Sequence, residues 1–348
     1  MFDHLAKKSA SWLSGEGNSP EIVLSSRARL ARNIATFPFP PVAGTDTREK
    51  VLSYVESAIN KTGELKEGTF CNSGELSNLD MSFLMERHLI SPEFLKGQSA
   101  RGLFVGKDEA VSIMVNEEDH LRIQAIRSGL DIKSSWETAN RTDDQLAQLL
   151  EFDYDPSFGY LTSCPTNVGT GLRASVLVHL PGLVLTREIQ KVIGRISKVG
   201  LTVRGFYGEG TDVLGNLFQI SNQTTLGRFE QDIIGDLERV TEQIIEYEHN
   251  ARITLYKDAK DQIEDKIWRS LGILTHARVL TSSEVMNLLS ALRLGIGMET
   301  LKRPSLGLVN ELLLLSQPAH LQKYYGREMN SGERDSVRAE LIRSKLNE

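Results

Sequence analysis

Cysteine is nearly absent from this chain: among 348 residues only Cys71 and Cys164 occur. Two thiols cannot build a disulfide framework or a four-cysteine zinc site, and such sparing use suits a reducing compartment. Long apolar runs are missing too. The longest pure stretches, such as 312–315, are far too short to cross a bilayer, and residues 1–13 carry no apolar segment of signal-peptide length. Nor is there an excess of positive charge. Lys and Arg number 40 against 46 Asp and Glu, giving a net charge of −6 and a pI near 5.8. A globally basic nucleic-acid or anionic-membrane binder is thereby disfavoured, although local basic sites remain open. No internal repeat or low-complexity tract is apparent. What is present, 40% hydrophobic and 25% charged residues, is the composition of a soluble globular protein long enough for two domains, and the expected location is cytoplasmic.

Residues 1–20 include Lys7, Lys8, Ser9, Ser11, Ser14, Gly15 and Gly17 and end at Pro20, a polar lead expected to be loosely held. The run Leu103-Phe104-Val105, then Gly106-Lys107-Asp108-Glu109, then Val111, Ile113, Met114 and Val115 reads as a hairpin of two buried strands. Further strands are expected at 158–163, 172–180, 201–207 and 217–222, with helices over 47–60 and 185–198. These elements predict an α+β domain over 21–254, a mainly antiparallel sheet flanked by helices. After Gly227 the pattern changes. Phe229, Ile233, Leu237, Val240, Ile244, Tyr247, Ala251 and Leu255 recur every three or four residues, the spacing of one long amphipathic helix. Thr281-Ser282-Ser283-Glu284 has capping-box spacing ahead of another, and a last polar helix is expected over 331–346. No strand pattern follows residue 255, so 255–348 reads as an all-helical second domain.

Three segments carry polar residues that packing explains poorly. In Ser25-Ser26-Arg27-Ala28-Arg29, extended backbone puts Arg27 and Arg29 on one face. Two guanidinium forks side by side suit a polyphosphate, and the alternative is a solvated basic face. Arg32 lies outside that two-residue spacing and is expected to matter less. Asn116-Glu117-Glu118-Asp119-His120-Leu121-Arg122 continues an apolar strand, so a carboxylate there is placed to act as a base or to bind a cation. A His-Asp-Glu metal cluster competes, but no second His lies at useful spacing, and no metal site is assigned. The third group joins the loop from Cys164 to Arg173, which contains Gly169-Thr170-Gly171, with Arg204-Gly205-Phe206-Tyr207-Gly208-Glu209. Glycine loops let backbone amides approach phosphate, though a bare Gly-Thr-Gly is also an ordinary turn.

Together these segments resemble the catalytic domain of the phosphagen (guanidino) kinases. The resemblance spans about residues 20–245. It rests on Ser-x-Arg-x-Arg at 25–29, Asn-Glu-Glu-Asp-His-Leu-Arg at 116–122, Cys-Pro-Thr-Asn-x-Gly-Thr-Gly-x-Arg at 164–173 and Arg-Gly-x-x-Gly-Glu at 204–209. The branch it is most similar to is the bacterial protein-arginine kinases. The helical N-terminal domain of the small-guanidine kinases is lacking, and Arg334-Asp335-Ser336-Val337-Arg338-Ala339 resembles that branch's phosphoarginine-binding motif.

The resemblance implies an ATP- and Mg²⁺-dependent kinase acting on arginine side chains of proteins. It assigns Arg27, Arg29, Arg122, Arg173 and Arg204 to the ATP phosphates, His88 to the adenine, and Glu118 and Glu209 to the substrate guanidinium. It sets Cys164 beside that guanidinium as an orienting thiolate helped by Thr166, and gives Arg334, Asp335 and Arg338 an allosteric phosphoarginine site. A second adenine-contacting His of the family falls at Leu177, with His179 the nearby replacement, and an arginine of the small-guanidine kinases is replaced by Thr225. Implied partners are an activating zinc-binding protein, a Clp protease and a second copy or more of the chain, in a role in stress response or proteolysis. The rivals are a small-guanidine kinase and a regulator that binds phosphoarginine without making it.

Overall fold

Val23–Arg32 (β1) divides its side chains between two faces: Ala28 and Leu30 are fully buried on one, and Arg27 and Arg29 lie on the other. In this computed structural model, which describes residues 2–96, 100–205 and 214–347, β1 lies inside an eight-stranded sheet. The other strands are Thr69–Asn72 (β2), Gly102–Val105 (β3), Val111–Val115 (β4), Leu121–Ser128 (β5), Leu172–His179 (β8), Leu201–Gly205 (β9) and Leu217–Asn222 (β10). Tyr154–Asp155 (β6) and Gly159–Tyr160 (β7) form a separate small hairpin. The order is β2-β3-β4-β5-β1-β8-β10-β9, and every pairing is antiparallel.

The helices Thr45–Lys61, Ile132–Ala147, Ile189–Lys198 and Glu230–Asp258 cover the Ala28–Leu30 face. Val51, Val55, Ile132, Ala139, Val192, Ile233 and Leu237 join those strand residues in one core. On the opposite face, Ile126 and Leu177 join a second core with Leu289, Leu292 and Val309 of the C-terminal helices. That region consists of Lys260–His276, Ser282–Gly297, Leu306–Leu315, Pro318–Tyr325 and Ser331–Asn347, and among the described residues no strand follows β10. Thr281 caps its helix by accepting the Glu284 backbone N–H at 3.2 Å, a contact worth about 1 kcal/mol.

The expected α+β architecture and helical C-terminal region are present, with local differences. The strand expected over 158–163 shrinks to Gly159–Tyr160, where Gly159 adopts a φ of +81°. The helix expected over 185–198 is two helices, Pro181–Leu185 and Ile189–Lys198, separated at Arg187 with a φ of +62°. Residues 206 and 207 of the strand expected over 201–207 lie outside the described residues.

The larger correction concerns the N-terminal lead, which is packed rather than loose. Phe2, Leu5, Ala6, Ala10, Trp12 and Leu13 are all buried. Three consecutive side chains explain why. Glu86 accepts the backbone N–H groups of Ala319 and His320 at 2.8 and 2.7 Å, tying the sheet region to a C-terminal helix. Burial pushes its carboxyl up to about 7 against those two hydrogen bonds. Arg87 forms a bidentate pair with Glu109, both bonds 2.7 Å, and donates to the carbonyls of Leu5 and Lys8. His88 meets the Trp12 ring edge-on, with centroids 5.1 Å apart.

Glu109→Gln leaves the fully buried Arg87 without its counter-charge. Urea unfolding should show a loss of about 3–5 kcal/mol; a loss below about 1 kcal/mol would mean that the pair does not hold this junction.

Candidate active site

Residues that face each other across an antiparallel ladder point to the same side of the sheet. Arg29 of β1 faces Arg173 of β8, and Ala31 faces Arg122 of β5. Gln219 of β10 faces Leu177 on one side and Arg204 of β9 on the other. Register therefore gathers Arg27, Arg29, Arg122, Arg173 and Arg204 on one face, where they line a cleft of about 1080 Å³ with His88, Glu118 and Cys164. Five residues from four strands become a single cationic surface.

Its electrostatics are those of a site prepared for an anion. Burial, then the charges of Arg122 and Arg173, lowers the Arg27 guanidinium to about 10. Arg29 is held well below its ordinary value by burial, then by Arg27, Arg122 and Arg173. Guanidinium groups stay charged near neutral pH, so their mutual repulsion is relieved by a ligand bearing several negative oxygens. Arg27 donates to Gln219 at 3.0 Å, while the Nε of Arg29 is buried without a hydrogen-bond partner among the described residues.

At one end of the cleft the turn between β4 and β5 presents Glu118. Arg122 grips that turn, reaching Glu117 and Glu118 at 2.9 Å each. Burial raises the Glu118 carboxyl above its usual range, opposed first by Arg122 and least by the Cys164 thiol. The Sγ of Cys164 lies 3.0 Å from the Thr166 hydroxyl. Asp119 fixes the spacing between the two segments: one carboxylate oxygen accepts from the Asn33 amide and the Ser163 backbone N–H, both at 2.7 Å.

The loop that follows Cys164 is held from both sides. Thr225 donates to the carbonyls of Thr166 and Val168 at 3.1 and 2.6 Å, so this residue secures the loop. Gly169, at a φ of +110°, comes so close to the backbone of Thr225 and Leu226 that a Cβ would approach within 2.7 Å. Arg32, expected as a lesser member of the basic segment, points to the other face. It is buried, pairs with Asp143 at 2.8 Å and donates to the Thr170 carbonyl at 2.9 Å, so its task is structural.

Other expected residues are distributed as follows. His88 lines the cleft, and burial together with Arg27 and Arg29 lowers its imidazole to about 3, so it is neutral near pH 7. Leu177 is on the arginine face, at the level of Ser25. His179 is no replacement for a ring at 177: it is fully buried and lies 2.8 Å from the Ser290 hydroxyl of a C-terminal helix. Glu209 lies outside the described residues. Arg334, Asp335 and Arg338 are together on Ser331–Asn347, away from the cleft. Arg338 does not sit on a solvated face; it is buried, pairs with Asp335 and donates to the carbonyls of Ser316 and Leu280 at 2.7 and 2.8 Å. Gln124 and Gln219 were not singled out from the sequence, although the alternation Leu121-Arg122-Ile123-Gln124-Ala125 marks a strand with one polar face.

The same chemistry appears among known proteins. The family described as ATP:guanido phosphotransferase, C-terminal catalytic domain, matches residues 50–251, and that described as protein-arginine kinase McsB C-terminal domain matches 260–348. A protein-arginine kinase of Halothermothrix orenii is 48% identical over 100% of this chain and 99% of its own length. One from Desulforamulus reducens is 48% identical over 97% of this chain and 95% of its own. Among solved structures, lombricine kinase superposes with a TM-score of 0.60 at 25% identity, covering 70% of each chain. The duplicated taurocyamine kinase of Schistosoma mansoni, with bound transition-state-analogue components, has a TM-score of 0.62 over 67% of this chain and 34% of that one. At 24% identity it speaks for the fold alone. With an arginine-lined cleft on a guanido-kinase sheet and near-half identity along its whole length, the chain belongs to the ATP:guanido phosphotransferases, in the protein-arginine kinase family.

Proposed function

We propose that this protein transfers the γ-phosphoryl group of ATP to the guanidinium of arginine side chains in proteins. The observation that carries the reading is the placing of Glu118 and Cys164 at one end of the five-arginine cleft. Phosphoryl transfer passes through a loose, charge-spread transition state, so positioning and cationic stabilisation supply most of the catalysis. Arg27, Arg29, Arg122, Arg173 and Arg204 are suited to that task. Mg²⁺, brought in with the nucleotide, would supply charge neutralisation on its phosphates. Among the described residues no three His, Cys, Asp or Glu side chains are grouped to hold a metal.

A guanidinium has a pKa above about 12 and no nucleophilic lone pair until it loses a proton. Glu118 takes that proton as the N–P bond forms and the bond from the γ-phosphorus to the bridging oxygen breaks, releasing ADP. Cys164, which lines the same cleft as Glu118 and lies 3.0 Å from the Thr166 hydroxyl, orients the planar group. Glu209 is assigned to the same guanidinium on the resemblance of its segment. Arg334, Asp335 and Arg338 are assigned to phosphoarginine, the enzyme's own product, as a second site coupled to the first. An activating zinc-binding partner, a Clp protease and self-association belong to the same reading, as does a cytoplasmic location. No helix among the described residues is long and apolar enough to cross a membrane. The full-length match to protein-arginine kinases favours a protein acceptor over a small guanidine.

The test is transfer from labelled ATP to an arginine-containing protein, compared with free arginine. Acid-labile label should appear on the protein; label confined to free arginine would favour the small-guanidine rival, and none on either would remove the kinase reading. Glu118→Gln should still bind ATP while losing on the order of 10²–10⁴-fold in turnover. Because burial raises the Glu118 carboxyl and the base works deprotonated, the acid limb of kcat/KM should fall above the ordinary carboxylate range and vanish in this variant.

Arg29 and Arg32 should respond in opposite ways. Arg29→Lys keeps the charge but loses the fork, so KM for ATP should rise at least about tenfold with little change in stability. Arg32→Lys should lower the unfolding midpoint. Equal effects of both changes on ATP affinity would contradict the division between the two sheet faces.

A further inference from the structure

A protein offers its arginine on a chain that leaves the cleft in both directions, so the rim at the acceptor end meets whatever flanks the target residue. Three segments build that rim. The Cys164 loop and the segment after β10 supply Cys164, Thr166, Asn167 and Gln223 to the cleft wall. The β6–β7 hairpin is bonded to the same loop, where the Tyr160 and Gly169 backbones exchange hydrogen bonds of 2.8 and 3.1 Å. Glycine makes the contact possible. A Cβ at Gly159 would come within 2.6 Å of the Gly169 carbonyl oxygen, and one at Gly169 within 2.8 Å of the Leu226 Cα. Hairpin, loop and segment therefore lie backbone against backbone. Phe158 precedes Cys164 by six residues, which puts the two at most about 22 Å apart.

Large apolar side chains stand in solvent along these segments. Tyr154 is 58% exposed, Phe158 54%, Leu226 53% and Phe229 76%. A single exposed apolar residue is ordinary, but four on adjoining segments beside a cleft mark an interaction surface, and aromatic rings are enriched in such surfaces. The charge of the hairpin is of one sign. Between Arg141 and Arg173 the sequence holds no Lys or Arg, whereas Glu151-Phe152-Asp153-Tyr154-Asp155 alternates acids with aromatic rings. Among the described residues Glu151, Asp153 and Asp155 form no ion pair. Arg228, the basic residue of the neighbouring segment, is already paired with Asp236 at 2.6 Å.

The arginine face repels a basic peptide, and an acidic rim at the Glu118 end offsets that repulsion where the acceptor enters. We propose that the β6–β7 hairpin, with Leu226 and Phe229, is the docking surface for the stretch of protein substrate that flanks the target arginine. It selects segments that carry both basic and apolar side chains: the acids meet the former and the exposed rings the latter. A free small guanidine has no flanks and gains nothing from this surface. The inference rests on the reading of a protein arginine as the phosphoryl acceptor.

The experiment measures steady-state phosphorylation, by the full chain, of three peptides with about six residues on each side of one arginine. One has flanks of lysine and leucine, the second has glutamate in place of lysine, and the third has flanks of glycine and serine. The wild type should show a KM for the lysine peptide about tenfold below that for the glycine peptide, and no such advantage for the glutamate peptide. Tyr154→Ser/Phe158→Ser changes exposed positions and leaves the core intact. It should raise KM for the lysine peptide about tenfold, with kcat and the glycine peptide unchanged. Glu151→Gln/Asp153→Asn should narrow the gap between the lysine and glutamate peptides. A wild type without preference, or a preference untouched by either variant, would overturn the proposal. Equal losses on the lysine and glycine peptides would make the hairpin a support for the Cys164 loop, and altered sedimentation with intact peptide kinetics would make it a contact between copies of this chain; both overturn it. A wild type that labels no peptide would overturn the acceptor reading as well, whereas labelling with no role for the hairpin overturns the present inference alone.

Discussion

Repulsion among guanidinium groups on one face of an antiparallel sheet is the constraint on which the rest of this structure depends. Arg27 and Arg29 are each disfavoured by burial and by their charged neighbours. Burying Arg27 and Arg29 therefore opposes folding, and other contacts offset it. The largest are on the far face, where Ala28 and Leu30 enter a continuous apolar core and Arg32 is neutralised by Asp143. One strand thus carries both outcomes, because successive side chains alternate between faces.

The acceptor end obeys a different rule, that of a short buried polar network. Asn33, Asp119 and Ser163 join the end of β1, the Glu118 turn and the Cys164 loop through hydrogen bonds of 2.7 Å. On the proposed function, the Glu118 base and the Cys164 thiol from separate segments gain a fixed spacing in this way, which effective positional catalysis requires. At the opposite end, Glu86, Arg87 and His88 point in turn to a C-terminal helix, the N-terminal lead and the cleft. The all-helical region is therefore packed against the segment that carries His88 into the arginine cleft, and on the proposed function a ligand at Arg334, Asp335 and Arg338 would have a packed route toward that cleft.

Much of this was legible in the sequence because the signals were local. Arg27 and Arg29 at spacing two, the apolar runs of the β3–β4 hairpin and the three-to-four periodicity from Phe229 to Leu255 each depend on nearby residues. The failures were non-local. Trp12 sits among lysines, serines and glycines, and that segment is buried by contacts distant in sequence, with His88, with Arg87 and with two apolar cores. Arg32 resembles its neighbours in composition, yet its partner Asp143 is 111 residues away. Thr225 differs from an arginine as a phosphate ligand, and its use as a clamp on the Cys164 loop is visible only in three dimensions.

Thermal unfolding of Arg29→Met, with and without ATP and Mg²⁺, tests most directly whether the arginine face exists for a polyphosphate and not for the fold. Methionine retains much of the apolar stem and removes the charge. The account predicts that the unliganded variant melts no lower than the wild type and that the rise in melting temperature produced by ATP is lost. An unliganded variant that melts several degrees lower while keeping the full ATP-induced rise would contradict it.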